Sequence, residues 1–65
     1  METNFGWLRV GDKFKFDHRR MSQPRAANRP VEVCIKVSPS MFRTTRYKEL
    51  CLADRDDAVI LIERG

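Results

Sequence analysis

Apolar and polar residues alternate one for one in three stretches of this chain, and each stretch predicts a strand. In Lys13–Asp17, Phe14 and Phe16 fall on one side and Lys13, Lys15 and Asp17 on the other, the period of a half-buried strand. In Val31–Val37, Val33, Ile35 and Val37 share a face with Val31, while Glu32, Cys34 and Lys36 share the opposite one. In Tyr47–Ala53, Leu50 and Leu52 oppose Glu49 and Cys51. A fourth stretch, Ala58–Glu63, is apolar almost throughout and reads as a short strand covered on both faces. Turn chemistry separates these elements: Gly11-Asp12 before the first, Ser38-Pro39-Ser40 after the second, and Asp54–Asp57 before the fourth. Residues 18–30 hold two prolines and no period, so they form a long irregular loop whose order the pattern leaves open.

Pairing residues 31–37 with 47–53 as an antiparallel hairpin gives one attractive register. Val33 meets Leu52, Ile35 meets Leu50, Lys36 meets Glu49, and Cys34 meets Cys51 on the outer face. A slip of one residue would turn every side chain to the wrong face. A helix over 41–53, capped by Ser40 with Tyr47, Leu50 and Cys51 at helical spacing, competes with this reading. Thr44 and Thr45 in mid-segment count against it. The strand reading predicts a core of Phe14, Phe16, Val33, Ile35, Leu50, Leu52, Val59 and Leu61. It also predicts that Ile35→Ala would cost enough to unfold the chain.

The resulting fold class is all-β. Residues 1–65 form a single domain, a small four- to five-stranded antiparallel SH3-like barrel or bent meander with a long basic first loop, and Trp7 and Leu8 plug one end. The segments Leu8, Val10–Phe16 (VGDKFKF) and Ile35–Pro39 (IKVSP) resemble small phage and prophage proteins with a VGDxFxF start. That resemblance implies a source in a bacterium or its phage, and no activity.

Length and composition narrow the chemistry. Sixty-five residues allow one small core and little room for an enclosed catalytic pocket. The N-terminal residues include Glu2 and no signal-like apolar run, and no stretch is long enough to span a membrane, so a complete, cytoplasmic protein is expected, with no membrane partner. Cys34 and Cys51, 17 residues apart, together with the single His18, cannot complete a tetrahedral zinc site. They are expected to be reduced thiols acting as small apolar residues. His18 lacks a nucleophile and an orienting partner, and a solvent-exposed loop position is expected for it. Asp54, Asp56 and Asp57 lack a calcium-loop pattern and read as a solvated turn. None of the three glycines belongs to a phosphate-binding motif. No enzyme activity, cofactor or metal is expected.

Charge carries the remaining information. The formal net charge is +4, and six of the nine arginines fall in irregular segments: Arg19, Arg20, Arg25 and Arg29 in the first loop, Arg43 and Arg46 in the second. These six with Phe42 form the expected partner-binding set, since arginine forks match phosphate and carboxylate oxygens and an aromatic ring can stack on a base. In a meander, Asp54, Asp56 and Asp57 lie at the same end as the first loop and would neutralise part of it. The pattern therefore favours a protein-binding accessory, or a phage-encoded inhibitor of a host or defence complex. A host protein or a second copy of the chain, paired through a strand edge, is its expected partner. Sequence-unselective RNA or DNA binding through the loop arginines is the alternative.

Overall fold

A computed structural model describes all residues, 1–65. It has six strands: β1 (Glu2–Asn4), β2 (Lys13–Phe16), β3 (Cys34–Ser38), β4 (Met41–Thr44), β5 (Leu50–Leu52) and β6 (Ala58–Glu63). They form one antiparallel sheet in the order β1-β6-β2-β3-β4-β5. Two single turns of 3-10 helix, Phe5–Trp7 and Ala26–Asn28, are the only helical elements.

The sheet is not closed. Its outermost strands, β1 and β5, do not pair with each other, which corrects the expectation of an SH3-like barrel and its count of four to five strands. Shifts of register between Lys13 and Phe14 on β2 and between Lys36 and Ser38 on β3 add local twist and bend the sheet. Gly11 makes the turn into β2 with a φ of +99°, a conformation that favours glycine. Its N–H donates to the Lys36 carbonyl at 2.7 Å.

The hairpin register also needs correction. Residues 41–44 form a strand of their own, and β4 stands between β3 and β5. Cys34 pairs with Thr44, Ile35 with Arg43 and Lys36 with Phe42, while Phe42 pairs with Cys51 and Arg43 with Leu50. Cys34 and Cys51 are therefore two strands apart, both free and both on the inner face.

The reason lies in what fills the inner face. Four phenylalanines, Phe5, Phe14, Phe16 and Phe42, meet edge to face with ring centroids 5.0–6.4 Å apart. Such rings occupy most of the space inside a small bent sheet, and their neighbours must be small. Cys34, Ala53 and Val59 supply that, with Leu8 completing the cluster. Of the expected core, Phe14, Phe16 and Val59 are buried and Leu61 packs against them. Val33 and Ile35 are only half-buried, and Leu50 and Leu52 are 51% and 68% exposed. Both β3 and β5 thus present the face opposite to the one their alternation suggests. Trp7 is exposed rather than a plug, with the Arg64 guanidinium 4.5 Å from its ring.

Lys36 occupies an inner position and is 4% exposed. Its ammonium donates to the carbonyls of Phe5 at 3.0 Å and Leu8 at 2.8 Å, and lies 4.6 Å from the Phe5 ring centroid. Burial lowers its pKa, against the opposing charge of Asp12. No helix is long and apolar enough to cross a membrane.

Candidate functional site

The arginines divide into two populations. The first works inside the fold. Arg20 donates from Nε to Asp17 Oδ2 at 2.5 Å and from a terminal nitrogen to the carbonyls of Thr3 and Val59 at 3.1 and 2.8 Å. That side-chain bond holds the Asp17 carboxyl below its ordinary pKa, against the opposing effect of burial. Arg25 ion-pairs with Asp54, and with Asp57 Oδ1 at 2.8 Å. Arg29 grips Asp57 Oδ2 with Nε at 3.1 Å and a terminal nitrogen at 2.8 Å, reaches the Leu52 carbonyl at 3.4 Å, and lies over the Phe16 ring.

Asp57 is therefore no solvated turn residue. Its carboxylate is fully buried between two guanidiniums and also accepts the Asp54 N–H at 3.0 Å. The 18–30 loop is fastened to the β5–β6 turn by charge, as the shared end of the meander implied. His18 is half-buried, not exposed, and its Nε2 lies 3.0 Å from the Arg29 carbonyl. Phe42, at 1% exposure, sits at the centre of the aromatic cluster and offers no ring to solvent. So Arg20, Arg25, Arg29 and Phe42 are occupied structurally.

The second population is free. Arg19, Arg43 and Arg46 are exposed and have no carboxylate within ion-pair distance. The structure adds Lys13 and Lys15 to them. With Phe14 and Phe16 buried, both lysines project from the outer face of β2. Register places Lys13 opposite Ile35, Ile35 opposite Arg43, and Arg43 opposite Leu50. Strand spacing then sets Lys13 and Arg43 roughly 10 Å apart and Lys13 and Lys15 roughly 7 Å apart, measured along the backbone. Lys13 has one exposed partner, Glu63 at 3.2 Å, whereas Lys15 has none. Lys15 and Arg19 line one shallow hollow with His18, Val31 and Ile60, and with the carboxylates of Glu2 and Asp17. Beyond β4, the Arg46 guanidinium lies 5.4 Å from the ring of Tyr47, which is 64% exposed.

Sequence reasoning missed the two lysines because it sought recognition in loops. The signal was present: strict Lys-Phe alternation turns the lysines outward wherever the phenylalanines are inward. Among the acidic side chains, Glu32, Glu49 and Asp56 have no ion-pair partner, and the half-buried Glu32 accepts the Arg46 N–H at 2.7 Å. A separate basic group, Arg9, Arg55 and the Arg64–Trp7 pair, is also exposed.

No three His, Cys, Asp or Glu side chains converge as they would around a metal ion. The Cys34 thiol is pushed up to about 12 by burial, then by the nearby charges of Glu32 and Cys51, so little thiolate is present near neutral pH. The chain matches no known family model, no curated protein and no solved structure.

Proposed function

We propose that this chain is a non-catalytic binding domain for nucleic acid, gripping single strands through their phosphates without selecting sequence. One observation carries this reading: the loop arginines nearest to carboxylates are neutralised inside the fold, while the unpaired cations Lys15, Arg19, Arg43 and Arg46 stand on one outer face and its rim. Phosphates are fixed by such cations, and arginine forks suit them. Tyr47 supplies an exposed ring on which a base can stack. The half-exposed Ile35 between Lys13 and Arg43 gives bases an apolar floor.

A protein partner, as in an accessory subunit or an inhibitor, is the second reading. The outer edge of the terminal strand β5, which no other strand pairs with, favours it.

Fluorescence anisotropy of labelled single-stranded oligonucleotides over a salt series separates the two. Binding through three or four phosphates predicts a log–log slope of about −2 to −3, since each contact on a single strand contributes ~0.7. Scrambled sequences should bind alike. Absence of binding at low salt, or binding indifferent to salt, contradicts the proposal.

A further inference from the structure

The two edges of the sheet are built differently. At the β1 edge the outward-facing positions are Glu2 and Asn4, polar residues that discourage pairing with another chain. At the β5 edge they are Leu50 and Leu52, with no charge, proline or bulge among Leu50–Leu52. Both leucines are more than half exposed. Beyond β4 this apolar edge strand pairs with no other strand, and Arg29 reaches it at the Leu52 carbonyl.

The backbone directions specify what that partner can be. Thr44 N–H donates to the Glu49 carbonyl at 3.0 Å, and Ala53 N–H to the Ser40 carbonyl at 2.8 Å. Phe42 faces Cys51 in the same ladder. Residues 49, 51 and 53 thus point their amides at β4, and Leu50 and Leu52 point theirs outward. An added antiparallel strand must bond to these two residues.

We infer that this strand is β5 of a second copy of the chain, joined about a twofold axis through Cys51. In that register Leu50 exchanges both backbone hydrogen bonds with Leu52 of the partner subunit, and Leu52 with the partner's Leu50. The leucines of both chains meet on the outer face. Arg46 of each subunit comes beside the unpaired Asp56 of the other, and Lys48 beside Asp54, whose charge Arg25 already shares. The same chain thus supplies apolar against apolar and plus against minus, as an isologous contact requires. Registers centred on Leu50 or Leu52 still satisfy the backbone, but the first sets a leucine against Lys48 and the second sets one against Asp54. Arg29 already donates weakly to the Leu52 carbonyl at 3.4 Å, and a carbonyl has a second lone pair for the new bond. Cys51 and the partner's Cys51 become a directly opposed, non-hydrogen-bonded pair, the arrangement in which strands lie closest. The contact is small, so the dimer is concentration-dependent. This inference does not depend on the nucleic-acid reading, and its test contains no nucleic acid.

Sedimentation equilibrium on the full chain over a concentration series should show the mass rising from 7.7 kDa toward twice that value. Leu52→Lys should hold it at the single-chain mass with melting unchanged, because the side chain is solvent-exposed. Diamide should oxidise two Cys51 thiols to one intermolecular disulfide, taking up their two electrons and two protons as the hydrazine. The cross-link should survive Cys34→Ser and vanish in Cys51→Ser. A single-chain mass up to about 1 mM, a dimer indifferent to Leu52→Lys, or a sedimenting dimer that diamide does not capture through Cys51 would each overturn the inference.

Discussion

Phe42 and Ile35 lie on neighbouring strands and on opposite faces of the sheet. Phe42 is enclosed by three other rings, whereas Ile35 is half-exposed between Lys13 and Arg43. Truncation therefore costs unequal amounts. Phe42→Ala should destabilise by about 3–5 kcal/mol and Ile35→Ala by about 1 kcal/mol, since only the first leaves a cavity in a closed core. A chain of this size has only on the order of 3–10 kcal/mol in total. Thermal melts of the two variants check this; equal losses would mean that both faces are equally buried.

Asp17 gives the acid limb of stability. Its bond to Arg20, outweighing burial, puts its folded pKa below the ordinary 3.8. Asp12 has the same net direction: burial raises it, but the N–H groups of Arg9 and Gly65 and the charges of Arg64 and Arg9 prevail. The unfolded chain binds protons more tightly at both sites. Their contribution is thus complete above the unfolded value and lost as pH falls through the folded ones. Melting temperature should decline as pH drops below about 4. Asp17→Asn should melt lower at neutral pH and lose less on acidification, and a parallel acid decline would contradict this assignment.

At the scale of elements, the 18–30 loop is the informative case. Lack of period identified it correctly as irregular, and its arginines looked like a recognition surface. Asp57, 28 residues beyond Arg29, determines their fate: the shared end of the meander implies that the Asp54–Asp57 turn neutralises part of the loop, but not which arginines it takes. Asp57→Asn leaves Arg25 and Arg29 without their shared counter-charge and should cost about 3 kcal/mol, the low end for a broken buried pair because Arg25 stays partly solvated. Hydrogen exchange should accelerate at the Ala27, Asn28 and Arg29 amides, which bond within that loop, and little in β2. Unaltered protection of the loop would show that the ion pairs do not hold it. β3 teaches a different lesson. Its β-branched side chains signalled a strand, and a strand is there, but alternation alone does not say which face is inner. That was decided by the volume of four phenylalanines from other segments and by the reach of Lys36 to two distant carbonyls. The strand β4 shows no alternation because Met41 and Phe42 are adjacent apolar residues, and β1, Glu2–Asn4, is polar throughout.

The whole molecule is an open, bent antiparallel sheet with its aromatic core on one face and, on the other, Lys13, Lys15 and Arg43. Its all-β class was legible, because Phe14, Phe16 and the apolar β6 carry the pattern openly. Closure was not, since it depends on whether β1 and β5 meet. The net positive charge is likewise legible and its placement is not: Arg20, Arg25 and Arg29 are tied inside the fold, while Lys13 and Lys15 stand on the exposed face of β2. Ligand binding at this outer face is the decisive point. It is tested most directly by titrating a single-stranded oligonucleotide into the isotopically labelled protein and following amide chemical shifts. Salt-sensitive shifts are expected, concentrated at Lys13, Lys15, Arg19, Ile35, Arg43 and Arg46, and lost in Lys15→Glu/Arg43→Glu while the core resonances stay in place. Shifts confined to Trp7, Arg9, Arg55 and Arg64, or no shifts at low salt, would contradict it.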